Sequence, residues 1–239
     1  MFKSAVTAVA RSLFSVTAPY LVTPALERNS LGCLTYVKEH AKRGDPASVV
    51  RAIDEFAAKN IMMNIGDAKG AVVDDEIRKK KPATMVEIGA YTGYSAVRFA
   101  SVQLAVMADA PSHYYSFEYS PVFAARVREM VAFAGLDQQV TVIEGAFGDQ
   151  IGALDGKAVD IYFIDHAKEL YVPDAKRIVA SGTLRDGSLL IADNVLFPGT
   201  PEYLAYLDEE PHLSPTLHTM PVEQIPIIDD GVSIATYKA

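Results

Sequence analysis

The stretch Val159-Asp-Ile-Tyr-Phe-Ile-Asp-His-Ala-Lys168 gathers a carboxylate, an imidazole and an amine, at Asp165, His166 and Lys168, directly behind an apolar run. Residues Val159 to Ile164 are apolar apart from Asp160 and rich in β-branched and aromatic types. They read as a buried strand of a parallel sheet. Ligands of open α/β sheets bind at the carboxyl ends of the strands, where this cluster falls. The plain alternative is a solvated strand end, with Asp165 in a turn and Lys168 at the surface. A second apolar run, Ser188–Ala192, delivers Asp193-Asn194 to the same kind of edge. Two carboxylates and a side-chain carbonyl are hard oxygen donors that suit Mg²⁺ or Ca²⁺ and poorly suit zinc or copper. A hydroxyl beside such a cation becomes more acidic, and a lysine of lowered pKa could remove its proton. Against this, Asp193-Asn194 also reads as a polar strand end with an Asx-type turn.

These groups need a scaffold, and the chain alternates strands and helices throughout. Thr84-Met-Val-Glu-Ile-Gly89 is a strand, Gly89-Ala-Tyr-Thr-Gly93 a turn, and Tyr94–Ser101 a helix. Strand, glycine turn and helix make a nucleotide-type cradle, in which the backbone approaches the ligand and the helix start offers free N–H groups. The dinucleotide pattern Gly-x-Gly-x-x-Gly is absent, which counts against a dehydrogenase. Tyr114–Glu118 is a strand ending in an acid that could accept hydrogen bonds from a ribose. Pro121–Phe133 is a helix, Val140–Glu144 a strand, Tyr171–Ser181 a helix closed by Gly182, and Pro201–Leu207 the start of another. Upstream, Gly44-Asp45-Pro46 separates two helices within residues 30–60, with Asp45 as N-cap and Pro46 in the first turn. From Pro211 the tail reads as Pro-rich and irregular until a last strand, Gly231–Tyr237. This order predicts a doubly wound α/β fold.

With 239 residues, 50% hydrophobic and 22% charged, the chain suits one large α/β domain. A net charge of −8 and the lack of a basic stripe argue against a large nucleic-acid partner. The one basic run, Arg78-Lys-Lys-Lys81, reads as a solvated helix end. The single Cys33 excludes an intrachain disulfide framework and fits a reducing, cytoplasmic setting. No apolar run is long enough to span a bilayer. Residues 1–26 carry Lys3 and Arg11, no acid and many Ser and Thr. They read either as a packed amphipathic helix or as an organelle-targeting segment.

Five segments together carry a resemblance. Met63-Asn-Ile-Gly-Asp-Ala-Lys-Gly70, Glu87-Ile-Gly-Ala-Tyr-Thr-Gly-Tyr-Ser95, Phe133-Ala-Gly-Leu136, Asp165-His-Ala-Lys168, and Ala192-Asp-Asn194 with Pro198-Gly-Thr-Pro201 resemble the catechol O-methyltransferases, in order, over residues 30–239. The resemblance implies a class I methyltransferase fold, with a seven-stranded, mostly parallel sheet, an antiparallel last strand, helices on both faces and extra N-terminal helices. It implies an extension at residues 1–29 and a single methyltransferase domain at 30–239, with S-adenosylmethionine and Mg²⁺ as cofactors. Asp165, Asp193 and Asn194 match the metal ligands, and Lys168 matches the general base for a catechol hydroxyl. Glu118, with Tyr119 beside it, matches the acid gripping the cofactor ribose. Glu87, Gly89, Tyr91 and Ser95 match the methionine end of the cofactor site, and Met63 and Ile65 its contacts near the methyl donor. His166 matches an adenine-side residue, and Asp165 borders the cofactor as well as the metal. Glu223 aligns with the glutamate holding the second catechol hydroxyl. The implied reaction is an in-line displacement in which the oxygen deprotonated by Lys168 attacks the sulfonium methyl.

This sequence departs from the pattern around the substrate ring. Ile61 and Ala167 stand where the family has tryptophans, Phe147 and Gly148 replace a Ser-Gln pair near adenine, and Phe197 beside Pro198 is a candidate substitute wall. The small Ala167 implies room for bulkier substrates. Two alternatives stay open: a cation-dependent O-methyltransferase for larger phenolics of caffeoyl or flavonoid type, and a non-catalytic S-adenosylmethionine-binding homologue.

Overall fold

The structure is a computed structural model that describes residues 24–222 and 225–239, without the side chains of 225 and 226. Most of the N-terminal extension and Glu223 lie outside the described residues. The strands are β1 (Thr84–Ile88), β2 (His113–Glu118), β3 (Val140–Glu144), β4 (Ile161–Ile164), β5 (Leu189–Ala192), β6 (Leu213–Val222) and β7 (Ile225–Tyr237). They form one seven-stranded sheet in the order β3-β2-β1-β4-β5-β7-β6. The first five strands are parallel, and β7 runs antiparallel to both β5 and β6.

The helices are α1 (Pro24–His40), α2 (Pro46–Ala57), α3 (Gly66–Lys80), α4 (Tyr94–Met107), α5 (Pro121–Phe133), the short α6 (Phe147–Gln150), α7 (Tyr171–Ala180) and α8 (Pro201–Glu209). Successive strand side chains point to opposite faces, so each central strand feeds two cores. Met85 and Phe163 pack on one side with Val37, Ile53, Val73, Val97 and Met130 of α1 to α5. Their neighbours Val86 and Tyr162 pack on the other side with Tyr171 and Ile178 of α7 and Tyr203 of α8. Burial on both faces is why β4 and β5 read as unbroken apolar runs. Among the described residues no helix is long and apolar enough to cross a membrane.

Local chemistry sets the helix starts. Asp45 accepts from Ser48 N at 3.0 Å and Pro46 opens α2, as its spacing predicts. Ser120 and Pro121 do the same for α5, with Phe123 N donating to the Ser120 hydroxyl. Helix α4 continues to Met107, beyond the predicted Ser101, and takes up most of the long gap between the glycine turn and Glu118.

The irregular tail is a misreading that the structure corrects. Leu213–Val222 and Ile225–Tyr237 form β6 and β7, a long antiparallel pair. Pro215 and Pro221 sit in β6, which is the sheet edge and pairs only with β7. An edge strand tolerates residues without an N–H, whereas a central strand does not.

Candidate active site

The strand order reverses between β1 and β4, and the crevice opens at their carboxyl ends. Gly89 has φ +94°, and a Cβ there would lie 2.5 Å from the Asp165 carbonyl oxygen. Only glycine lets the two strand ends approach this closely. At the end of β2, Glu118 braces the turn. Its Oε2 accepts from Ala90 N at 3.1 Å and Tyr91 N at 2.9 Å, and its Oε1 from Ser120 N at 2.9 Å. Burial raises the Glu118 carboxyl above its ordinary pKa, against the pull of these three N–H groups. The Tyr91 hydroxyl donates to Leu26 O at 3.1 Å, which ties the turn to α1.

Glu87, on β1, is wholly buried. Ser116 Oγ donates to its Oε2 at 2.6 Å, while its Oε1 is buried without a hydrogen-bond partner. Burial pushes this carboxyl up to about 7, against the opposing Ser116 hydroxyl. Asn64 Nδ2 and His166 Nδ1 are likewise buried and unpartnered. Ser95 in the first turn of α4 and Ile65 are buried, whereas Met63, Tyr119 and Ile61 are exposed. His166 turns from the acidic cluster: its Nε2 meets Asp174 Oδ2 at 2.8 Å and its ring stacks on Tyr171. Burial lowers its pKa, against the carboxylate of Asp174.

The carboxylates and lysines form one hydrogen-bonded group. Lys168 Nζ donates to Asp165 Oδ1 at 3.0 Å and to Tyr171 Oη at 2.6 Å. Tyr171 Oη in turn donates to Asp193 O at 3.0 Å. Lys69 Nζ, from the first turn of α3, straddles Asp193, at 2.7 Å from Oδ1 and 2.9 Å from Oδ2. It also donates to Asp230 Oδ2 at 2.7 Å. Asn194, in the left-handed region at φ +58°, donates through Nδ2 to the same Asp230 oxygen at 2.9 Å. Three carboxylates thus face two ammonium groups. Burial raises Asp193 above the ordinary carboxylate range, with Lys69 opposing and Asp165 and Asp230 adding to the rise. Helix α3 is held in place by Arg98 of α4, which bonds Asp74 at 2.9 Å and Asp67 at 3.0 Å.

Residues 86–195 match a family model described as a methyltransferase domain. Catechol O-methyltransferase of Mus musculus is 39% identical over 210 residues, covering 86% of this chain and 77% of its own length. That of Bos taurus is 38% identical over 210 residues, covering 86% and 75%. The chain belongs to the catechol O-methyltransferase family. It is a methyltransferase, and its sheet is that of the class I methyltransferase fold. An O-methyltransferase from Bacillus cereus, solved in complex with SAH, superposes with a TM-score of 0.65 at 19% identity, covering 99% of this chain and 100% of that one.

In this catechol O-methyltransferase family member, Asp165, Lys168, Asp193 and Asn194 meet in one cluster, with Glu87, Gly89, Tyr91, Ser95 and Glu118 around the adjoining glycine turn. Glu223 is outside the described residues. Phe197, the candidate substitute wall, is buried, and its backbone N–H donates to Asp230 Oδ1 at 2.9 Å. Phe147 is also core, edge-on to Phe117 and Tyr162. Sequence reasoning assigned nothing to Lys69, Asp230 or Tyr171. Lys69 is the only cation in the segment Met63–Gly70, and Asp230 lies beside Gly231 at the head of an apolar strand. Those were the available signals.

Proposed function

We propose that the protein transfers a methyl group from S-adenosylmethionine to one hydroxyl of a catechol-type substrate, with Mg²⁺ at Asp165, Asp193 and Asn194 and Lys168 as general base. The observation that carries this reading is the Lys168–Asp165 pair, joined through Tyr171 to Asp193, at the crevice edge beside the Glu118-braced glycine turn. Among the described residues no three acidic, histidine or cysteine side chains are grouped to hold a metal. The proposed donor set has two acids, and the third oxygen is the Asn194 amide. The carboxylates of Asp165 and Asp193 and the Asn194 side-chain amide, delivered together at neighbouring strand ends, are the hard oxygen donors that such a cation takes. When bound, the cation supplies positive charge that favours the ionised form of a nearby hydroxyl. The buried, unpartnered Glu87 Oε1 and Asn64 Nδ2 suit the polar end of the methyl donor.

Lys168 must enter the step neutral, since an ammonium cannot accept a proton. Its Nζ, held by Asp165 and Tyr171, takes the proton of the attacking hydroxyl. The substrate oxygen then bonds to the methyl carbon as the carbon–sulfur bond breaks, leaving a neutral thioether. Positioning and electrostatics provide the acceleration, and no covalent enzyme intermediate forms.

A second reading, turnover of larger phenolics, is favoured by one feature, the small and only half-buried Ala167 between Asp165 and Lys168. The deciding experiment is a methyl-transfer assay on dopamine-like, catechol-acid and flavonoid substrates, with and without EDTA. Turnover that EDTA abolishes and Mg²⁺ restores is expected. No turnover of any catechol with Mg²⁺ present removes the enzymatic reading.

A further inference from the structure

Asp230 is 2% exposed and belongs to β7, far in sequence from the other acids of the site. Its two oxygens are used differently. Oδ1 accepts from two backbone groups, Phe197 N at 2.9 Å and Gly231 N at 2.7 Å. Oδ2 accepts from two side chains, Lys69 Nζ at 2.7 Å and Asn194 Nδ2 at 2.9 Å. A carboxylate only accepts, so the Asn194 group facing it must be the amide nitrogen. The planar amide then has its oxygen on the opposite branch. Asn194 itself is held by a left-handed backbone and by its own N–H, which donates to Asp193 Oδ1 at 2.8 Å. The backbone is therefore fixed, and the one open choice, which way the amide faces, is made by Asp230.

We propose that Asp230 is a positioning residue that orients the Asn194 amide as an oxygen donor to the divalent cation, and that Lys69 holds Asp193 and Asp230 in register for this. The inference rests on the metal reading given above. It predicts a specific failure in Asp230→Asn. The backbone N–H groups of Phe197 and Gly231 keep an oxygen at the Oδ1 position, so the new amide nitrogen takes the Oδ2 position. That nitrogen donates, so Lys69 loses this acceptor and keeps only Asp193, and Asn194 must turn its carbonyl oxygen to meet the new donor. The Asn194 nitrogen then faces the cation. Replacing Asn194 by Asp as well repairs the site, because a carboxylate can accept from Asn at 230 with one oxygen and present the other.

The test is calorimetric titration of Mg²⁺ into the full chain loaded with S-adenosylmethionine, for wild type, D230N, N194D and D230N/N194D. D230N is expected to weaken Mg²⁺ by about 10- to 100-fold, the usual effect of losing a partner that orients a metal ligand. Its S-adenosylmethionine affinity stays unchanged, and D230N/N194D recovers to within a few-fold of N194D. Wild-type affinity in D230N overturns the proposal, as does a double variant no better than D230N. A wild type that binds no Mg²⁺ overturns the metal reading itself, and the proposal with it, which is a different result. Should D230N fail to fold, ¹⁵N-labelled wild type still decides. The Asn194 side-chain amide protons, assigned by their loss in N194D, should exchange slowly before Mg²⁺ is added. Rapid exchange overturns the proposal.

Discussion

Lys168 has two acceptors and lies over an aromatic ring. It donates to Asp165 and Tyr171, and its Nζ is 4.7 Å from the Tyr171 ring centroid. A side chain held in this way is placed for proton transfer at little cost in ordering during the step. Lys168→Met keeps the length and removes the proposed base. A general base contributes about 10²–10⁴-fold, so kcat should fall by that factor while S-adenosylmethionine affinity holds. Stopped-flow or steady-state rates beside a cofactor titration check this, and a kcat within a few-fold of wild type would remove Lys168 as base. Lys168 and Asp165 stood out in the sequence as polar groups behind an apolar strand, but that segment alone reads equally as a solvated strand end, and their proposed roles came from Asp193-Asn194 and from the family resemblance. Lys69 and Asp230 were not legible. They stand 161 positions apart, each resembles a solvated charge, and only the fold brings them within 2.7 Å.

At the level of elements, most boundaries followed from turn chemistry. Pro121–Phe133 and Val140–Glu144 start and stop where their caps and apolar patterns place them. Helix α2 begins at Pro46 behind its Asp45 cap. The β6–β7 pair was missed because Pro215 and Pro221 argue against a central strand, and nothing local says that a strand will lie at an edge. Seven strands followed from resemblance rather than from the pattern of the tail. The glycine turn between β1 and α4 shows how two elements position a residue on a third. Gly89→Ala places a methyl 2.5 Å from the Asp165 backbone oxygen at a φ of +94°, so β1 and β4 must part at their ends. Gly156→Ala makes the better control, since its φ of +73° carries backbone strain but nothing lies within 4 Å. The control should lose about 1 kcal/mol. Gly89→Ala should lose roughly 2–4 kcal/mol, lowering Tm by about 5–12 °C in a chain of this size. It should also weaken S-adenosylmethionine binding, which the control leaves intact. Equal melting temperatures for the two variants would mean the close approach has no energetic weight.

For the molecule as a whole, the site makes stability depend on pH in an unusual direction. Most carboxylates in folded proteins have depressed pKa values and stabilise the fold as pH rises. Glu87 is raised, from 4.5 to about 7, chiefly by burial in the sheet between the two cores. Between those pH values the folded chain holds a proton that the unfolded chain has released. The stability linked to Glu87 is therefore fully present below about pH 4.5, falls as pH rises, and is gone above about pH 7. A change of that size corresponds to at most about 3 kcal/mol. Other acids titrate over the same range, so the useful quantity is a difference. Glu87→Gln mimics the neutral acid and should gain on wild type by up to about 3 kcal/mol in denaturant unfolding between pH 4.5 and 7.5. Parallel stability curves for the two proteins would show that Glu87 ionises in the fold without penalty. A bound ligand with an ammonium group near Glu87 Oε1 stabilises the carboxylate and draws its pKa down. Saturating S-adenosylmethionine should therefore flatten the wild-type pH dependence and release a proton on binding near pH 6, measurable as a buffer-dependent binding enthalpy. Glu87→Gln should release none and bind the cofactor more weakly. The acid that costs the free protein stability above pH 7 is, on this reading, the group by which the fold recognises a cationic amino acid end.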